Sequence, residues 1–368
     1  MNRYLTGKVA KPSLIYTALL LVALCLVTSQ AMATRKTDIV YLKNGDRITG
    51  EFKELIQGEL KFSTSEMGTI YIKWEGIAHI ESDKYIEMEL KDGTRMFGQV
   101  PSELNTDDNV LAVKTLKTDD PLKVEMPEVI RAEQIRLDES ILDRLDGFIK
   151  LGLNYTQASD VLTWNLAAQA KYRTRMHLNL LDFDSTLTRK GGGQDTSRHN
   201  LVGSRYWYKE GRWFWFGNLA AQQNEELGLD LRVSVTGGVG KFLVQSQKTE
   251  FYLAPGLSVN KELETGSEED IDQRLSDAGN NFEALLTADY TFYRLYSPKS
   301  RIKAAATLWQ GISDTDRYRA NTNVTLRQEF ISDLFWDLSF YYDYDSKPLQ
   351  GAAANEDFGI VTSLGYEF

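Results

Sequence analysis

The residues of this sequence best suited to metal or acid–base chemistry are its three histidines, His79, His177 and His199. They lie far apart along the chain. A metal site needs several ligands that converge, often at a short spacing such as H-x-x-x-H. The sequence has no such spacing and no cluster of cysteine with histidine. We therefore predict no metal site and no cofactor.

A serine activated by a histidine is the second chemistry to consider, because a hydrogen-bonded histidine makes a serine hydroxyl nucleophilic. Ser204 lies near His199, but the odd spacing puts the two side chains on opposite faces of one strand. His177 with a serine of a neighbouring strand is compatible with the sequence. A lipid-acting hydrolase is therefore an alternative function, while the main expectation is a protein that is not an enzyme and has no catalytic residues.

The elements that would position these residues are strands. From Leu145 onward, strands of roughly ten to fourteen residues are separated by turns. Short turns alternate with longer polar loops, except at the first connection, as in a barrel with short turns at one rim and long loops at the other. We predict twelve strands, near 146–157, 160–173, 175–187, 198–209, 212–223, 228–243, 248–260, 281–294, 300–311, 316–331, 334–345 and 356–368.

The strand near 316–331 shows two different faces. In "YRANTNVTLRQEF" one face is mostly apolar with an aromatic residue at each end, and the other face is polar or charged. Polar residues of a narrow barrel pair across the lumen and plug it, whereas in a wider barrel they line a path. Twelve strands lie between these cases, and we favour a plugged or barely conducting interior. The lumen-facing candidates are Arg319, Asn321, Asn323, Arg327, Glu329 and Asp337.

Alternation by itself also fits a soluble secreted β-protein, which is the second alternative. Three features favour a membrane: the strand length, the terminal aromatic residues on the apolar face, and the charges on the opposite face. In hydrocarbon every unpaired backbone group is costly, so the sheet must close. We therefore predict an all-β chain whose C-terminal part is an antiparallel transmembrane β-barrel.

A duplicated unit precedes this barrel, in residues 34–137. "LKNGDRITGEF" at Leu42–Phe52 matches "LKDGTRMFGQV" at Leu90–Val100, and each copy contains an Asn-Gly or Asp-Gly turn. We predict two small SH3-like or Sm-like β-barrels of about five strands each, with one irregular β-sandwich as the alternative. Residues 138–144 form a charged linker, and the transmembrane barrel occupies residues 145–368.

Residues 1–33 have the pattern of a signal peptide. Basic residues precede an apolar core that is short for a membrane span, and Ala31 and Ala33 form an A-x-A cleavage site. The only cysteine, Cys25, lies inside this segment. Because the chain is acidic, with a net charge of −10, we expect no nucleic-acid binding. We expect the barrel in the outer membrane and the duplicated module in the periplasm.

Several segments in order carry a resemblance to a known family. "RLDGFIKLGLNYTQASD", "RWFWFGNLAAQQNEELGLDLRVSVTGGVGKFL" and "FYYDYDSKPLQGAAANEDFGIVTSLGYEF" resemble the YdiY-like salt-induced outer-membrane proteins, a Gram-negative family of unassigned function. The resemblance covers about Arg144 to Phe368, and it implies an envelope-stress role without naming a ligand. It implies no catalytic residues.

The expected partners follow from this location. They are outer-membrane lipid and lipopolysaccharide around the barrel, and an envelope component bound by residues 34–137. The barrel-assembly machinery is a further partner, because the last strand ends on an aromatic residue with apolar residues at alternate positions before it. The residues of this assembly signal are Leu364, Tyr366 and Phe368.

Overall fold

The structure is a computed structural model, and it describes residues 37–104, 109–115, 120–135, 145–156, 161–174, 177–191, 195–264, 274–275, 277–294, 299–331, 333–349 and 354–367. Residues Thr37–Phe368 form one compact unit. The predicted cleavage site at Ala31 and Ala33, the linker 138–144 and Phe368 lie outside the described residues. Among the described residues, no helix is long and apolar enough to cross a membrane.

The N-terminal module consists of antiparallel strands joined into one sheet. Four of them, β1, β2, β9 and β5, pair in a closed ring, and the remaining strands extend the sheet from β2 and from β5. The strands are β1 (Asp38–Leu42), β2 (Arg47–Ile56), β3 (Glu59–Ser63), β4 (Thr69–Lys73), β5 (Ile77–Leu90), β6 (Arg95–Val100), β7 (Val110–Thr115), β8 (Leu122–Glu125) and β9 (Val129–Gln134).

The sequence repeat is visible in the module, but its two copies share strand β5. Gly45 and Gly93 occupy equivalent hairpin turns at φ of +92° and +85°, a conformation that glycine adopts without strain. One hydrophobic core spans both copies, since Phe52 and Phe62 pack with Val113 and Val129. The copies therefore form one sheet with one core, instead of two separately closed small barrels.

The C-terminal part is a closed antiparallel barrel in which every strand pairs with its sequence neighbours and β10 pairs with β21. The prediction of an all-β chain with a twelve-stranded barrel is confirmed. Each observed strand overlaps a predicted one. The strands are β10 (Leu145–Thr156), β11 (Val161–Arg173), β12 (His177–Lys190), β13 (Thr196–Tyr208), β14 (Trp213–Asn224), β15 (Leu229–Gln245), β16 (Thr249–Glu264), β17 (Asn281–Arg294), β18 (Ser300–Gly311), β19 (Tyr318–Ile331), β20 (Leu334–Asp345) and β21 (Glu356–Glu367).

Closure involves two residues of the predicted assembly signal. Tyr366 lies opposite Ile149, and Leu364 lies opposite Leu151, so the last strand is hydrogen-bonded to the first. Both side chains point outward and are more than half exposed, Leu364 at 58% and Tyr366 at 55%. The terminal strand is thus part of the wall, as the absence of a free edge in hydrocarbon requires.

The outer wall of the barrel is apolar. Large hydrophobic side chains recur there at alternate positions along the strands, because successive side chains of a strand point to opposite faces. Exposed side chains of this set include Leu153, Trp164, Leu181, Leu201, Trp215, Leu219, Val235, Leu257, Leu286, Leu308, Phe340 and Ile360. A continuous exposed apolar wall of this kind is unfavourable in water and suits lipid.

Candidate functional site in the barrel interior

The barrel has two ends that differ in chemistry. We call the end at which β10 begins the near end, because the module contacts the barrel there, and the opposite end the distal end. Short connections such as Ser246–Lys248 lie at the near end, and longer ones such as Ile312–Arg317 lie at the distal end. The alternation of short and long connections follows the prediction.

The distal end is crossed by ion pairs. Arg232 bonds Glu262 at 2.6 Å, and Arg317 bonds Glu262 at 2.6 Å and Asp345 at 2.5 Å. Arg232 also lies 3.6 Å from Asp345. Because Arg232 belongs to β15 and Asp345 to β20, this network joins walls that are five strands apart.

Two more contacts cross the interior at the same level. Arg198 on β13 is 2.8 Å from Asp343 on β20, and the Asn224 amide on β14 donates to the Asp357 carboxylate on β21 at 3.0 Å. In each case the shorter way around the barrel passes five strand steps. Side chains from nearly opposite walls therefore meet in the lumen, and they form what we call the distal barrier.

Most of the six lumen-facing candidates bond with neighbours on the inner wall. Arg319 makes a bidentate pair with Glu283, at 2.8 and 2.5 Å. Arg327 makes another with Asp337, at 2.8 and 3.0 Å, and Asp337 is fully buried. The Asn321 amide donates to Asp343 at 2.6 Å.

The other two candidates differ from this pattern. Asn323 is exposed within the described structure and accepts a hydrogen bond from Thr325 at 3.0 Å. Glu329 is half-buried, at the near end, where it lines the cleft between module and barrel. Of the candidates that form ion pairs, Arg319 lies toward the distal end, and Arg327 and Asp337 lie toward the near end.

Aromatic side chains fill one side of the lumen at the near end. Phe214 is 1% exposed and packs against Phe242 and Tyr252, with ring centroids 5.3 and 5.2 Å apart. Gly240 stands where a Cβ would collide with the Phe214 ring, so glycine is required for this close approach. These aromatic residues are absent from the lumen-facing residues predicted from the sequence, although their even-numbered alternation on β13 to β16 indicates an inward face.

The module covers the near end through contacts with several barrel connections. Glu89 on β5 is 3.4 Å from Arg173 and accepts a hydrogen bond from the Gln245 amide at 3.1 Å. The Gln247 amide donates to the Val129 carbonyl at 2.8 Å. These contacts lie beside the aromatic cluster, so the module closes the mouth that the cluster narrows.

Two ion pairs complete the contact. Lys299 is 2.7 Å from Glu59, and Lys248 is 3.6 Å from Glu75. Lys299 also lies 4.7 Å from the ring centroid of Tyr71. Module strands β3 to β5 and the connection after β4 therefore contact the near end of the barrel at several places around its mouth.

Glu89 is the most buried charge of this contact, with 7% of its surface exposed. Burial opposes its ionisation, but the attraction of Arg131, Arg95 and Arg173 outweighs that effect and holds the pKa of the carboxyl below its ordinary value. Glu89 is therefore ionised at neutral pH and anchors the module electrostatically.

A chamber remains between the module and the distal barrier. Its volume is about 330 Å³, and module residues Glu89 and Arg131 face barrel residues such as Arg301 and Tyr252 across it. A second cavity of about 310 Å³ lies at the seam between module and barrel and shares Arg301 with the chamber. The chamber therefore adjoins a cleft beside the module at Arg301.

The histidines occupy three separate environments. His79 stacks on Tyr41 in the module, and His177 Nδ1 is 3.3 Å from the Thr174 hydroxyl. His199 Nδ1 is 2.9 Å from the Ser185 hydroxyl, because the two residues lie opposite each other on β13 and β12. The structure places His177 beside Thr174 and opposite Trp207, so the predicted pairing of His177 with a serine is not seen in the described part of the chain. The pair of His199 with Ser185 was not predicted, because it depends on the strand register. Among the described residues, no three His, Cys, Asp or Glu side chains are grouped to hold a metal.

Comparison with known proteins yields one family. The family described as "Protein of unknown function, DUF481" matches residues 149–368, which are the barrel. No curated protein matches the chain.

Solved structures resemble the chain only distantly. One, described as "NanC porin structure in rhombohedral crystal form", has a TM-score of 0.38 at 8% identity and covers 60% of this chain and 98% of its own. Another, described as "Bacterial polysaccharide outer membrane secretin", has a TM-score of 0.31 at 10% identity, with coverage of 61% and 97%. At these values the similarities carry no argument about function.

Proposed function

We propose, from the premise that this chain belongs to the DUF481 family of proteins of unknown function, that it is a non-enzymatic integral outer-membrane barrel with a closed lumen. In this proposal the N-terminal module is a periplasmic cap on the near end. The contact of Glu89 with Arg173 and Gln245 carries the proposal, because it places a module carboxylate inside the barrel mouth.

The apolar outer wall of the barrel favours a location in the outer membrane. The exposed apolar side chains on the twelve strands need a hydrocarbon solvent, and a closed antiparallel barrel satisfies its backbone hydrogen bonds without water. The signal-peptide pattern of residues 1–33 agrees with export. The near end, with its short turns and the module, then faces the periplasm.

The proposal of a closed lumen rests on two barriers, which are the distal barrier and the module at the near end. Breaking the distal barrier would leave buried charges without partners, which costs several kcal/mol, so the barrier has no low-energy open state without a compensating ligand. At the near end, the module adds a second obstruction. Together they favour an envelope component, in line with the stress role that the YdiY-like resemblance implies, over an open diffusion pore.

The exposed surface of the module is then free to bind another envelope component. Leu122 and Tyr85 are apolar side chains of the module that are more than a third exposed. Because the cap contact holds the module at the barrel mouth, a partner of the module would be recruited to the membrane surface.

Planar-bilayer conductance of the full chain tests the closed lumen. We expect no steady current from the wild-type protein. Asp345→Ala combined with Glu89→Ala removes one charge from each barrier and should produce current steps, whereas each single variant keeps one barrier and stays closed. Steady conductance of the wild-type protein would show that the lumen is open. A folded but silent double variant would show that these two residues do not close it.

A lipid-acting hydrolase is the second candidate, and the hydrogen bond between Ser185 and His199 favours it. Both side chains belong to the outward-facing set with Leu187 and Leu201, which are 48% and 44% exposed. A polar, ionisable pair on a wall that faces acyl chains is costly and therefore suggests a function. Ser185 would attack an ester carbonyl while its proton passes to His199, and His199 would return that proton to the departing alcohol as the ester C–O bond breaks. Water would then hydrolyse the acyl-serine, releasing the fatty acid and restoring the Ser185 hydroxyl.

Phospholipid hydrolysis by purified protein separates the two candidates. Wild-type protein and Ser185→Ala are compared in mixed micelles, with Ser204→Ala as the matched control because Ser204 is on the opposite face of the same wall. Hydrolysis by the wild type that Ser185→Ala abolishes and Ser204→Ala retains would establish the enzyme. Absence of hydrolysis in the wild type supports the non-enzymatic proposal.

A further inference from the structure

Two arginines face each other on neighbouring strands inside the near end of the lumen. Arg301 on β18 pairs directly with Arg327 on β19 in the strand register. Both belong to the inward-facing set, since Ile302 beside them is exposed on the outer wall. Like charges directly opposite each other destabilise a sheet, so this pair needs compensation.

Among the described residues, Arg327 is the arginine of this pair that forms ion pairs, whereas Arg301 is attracted by Asp337 and Glu367 without an ion pair to either. Arg327 forms a bidentate pair with Asp337 and a further pair with Glu367 at 3.0 Å. Arg301 forms no ion pair and no hydrogen bond of its guanidinium within the described part of the chain, and its strand neighbour on the other side is Tyr293. With respect to the described residues, the guanidinium of Arg301 is therefore available to an added anion.

The chamber around Arg301 is more cationic than anionic. Among the described side chains that line it, seven are cationic and four are anionic. A barrel interior of low dielectric strengthens the attraction of such an excess for a negative group. The excess thus favours an anionic occupant.

Another part of the chamber lining, on β14 to β16, is aromatic. Phe214, Phe242 and Tyr252 form this aromatic wall, with ring centroids 5.2 to 5.4 Å apart. An apolar wall with a few polar groups is the usual composition of a small-molecule site. The volume of about 330 Å³ is at the lower end for such sites, which restricts the occupant to a small molecule.

Access to the chamber does not require the distal end to open. Arg301, Lys171 and Gln169 line both the seam cavity and the chamber, so the Arg301 side chain borders the cleft beside the module as well as the chamber. The Lys299 and Glu59 pair, at 2.7 Å, lies in this cleft. A solute would therefore enter from the side of the module.

We propose that the chamber binds a small organic anion, with its oxyanion group on the guanidinium of Arg301 and its apolar body against the aromatic wall. Arg301 is suited to carboxylate or phosphate because its planar fork binds two oxygens at once. This inference goes beyond the closed-barrel proposal and does not depend on it, because a conducting barrel could carry the same site.

Isothermal titration calorimetry of the full chain in detergent micelles tests the site, with phenyl phosphate as the probe. Inorganic phosphate and phenol are titrated separately, so that the contributions of the oxyanion and the ring are distinguished. The variant Arg301→Gln removes the guanidinium, and Arg301→Lys keeps the charge without the fork. Arg189→Gln is the matched control, because it removes a charge from a side chain that is 77% exposed and outside the chamber.

We expect saturable binding of phenyl phosphate, weaker binding of inorganic phosphate, and none of phenol. Arg301→Gln should weaken the affinity for phenyl phosphate by about tenfold or more, since a charge-assisted bidentate contact is lost. Arg301→Lys should be intermediate, and Arg189→Gln should match the wild type. Absence of saturable binding to the wild type, or equal affinity of Arg301→Gln and Arg189→Gln, would overturn the proposal. Equal affinities of the wild type for phenyl phosphate and inorganic phosphate would show that the aromatic wall does not contribute to binding.

Discussion

Arg198 on β13 and Asp343 on β20 form an ion pair of 2.8 Å across the interior of the barrel. The residues are separated by five strand steps along the shorter way around the wall, so only closure of the sheet brings them together. This pair, with the Arg232 and Asp345 contact, makes the lumen a packed polar interior at the distal end.

The buried pair of Arg327 and Asp337 should be essential for stability. Asp337→Ala leaves the guanidinium beside a second arginine, Arg301, without its fully buried carboxylate partner. We expect a loss of about 3–5 kcal/mol in the free energy of unfolding, measured by urea titration in lipid vesicles. Asp146→Ala is the control, because Asp146 is 55% exposed and pairs with Lys171 at 3.1 Å; it should cost about 0.5 kcal/mol. Similar losses in both variants would contradict the buried-pair assignment.

The apolar outer wall should reject a charge at mid-strand. Leu257 on β16 is 63% exposed, and Leu257→Arg should destabilise the folded barrel by about 2–4 kcal/mol if that surface meets lipid. Leu122→Arg is the matched control, because Leu122 is an exposed leucine of the module, which meets water. Refolding yield into vesicles and urea titration measure the difference. Equal tolerance of both variants would place the barrel wall in water.

Contact between module and barrel should weaken in acid. The pKa of Glu89 is lowered in the folded chain because its arginine neighbours outweigh its burial. Its stabilisation is therefore fully present above the ordinary carboxyl value of 4.5 and is lost as the pH falls through the lowered pKa. Urea titrations from pH 7 to pH 3 should show a smaller acid loss in Glu89→Gln than in the wild type. Glu75→Gln, which removes a carboxylate that is 53% exposed, should retain the wild-type loss.

The two sequence repeats should unfold together. The Trp74 indole N–H donates to the Met126 carbonyl at 2.7 Å, and this buried bond joins the first repeat to the second. Trp74→Phe leaves the carbonyl without that donor and should cost about 1–3 kcal/mol. Hydrogen exchange should show faster opening in β2 and in β9 alike. Faster exchange confined to the first repeat would indicate two independent small barrels.

Much of the fold could be predicted from the sequence because it depends on local pattern. The alternation in "YRANTNVTLRQEF" placed Arg319 and Arg327 on one face, and the turn residues Gly45 and Gly93 marked the hairpins of the module. Strand period and turn chemistry act over a few residues, so they are readable without knowing the partners. The module differs from the prediction of two small barrels, because its strand β5 belongs to both repeats and a shared core is a long-range property.

The candidate sites required the tertiary structure for the same reason. No local pattern shows that Arg301 lies opposite Arg327, that Ser185 lies opposite His199, or that a module carboxylate enters the barrel mouth. Those relationships depend on the register between strands and on the docking of one domain on another, both of which are fixed by contacts distant in sequence. The sequence by itself determined the strands, their two faces and the need for closure. Only the tertiary structure decided which charges meet inside the barrel, because burial and pairing depend on where the closed wall brings them.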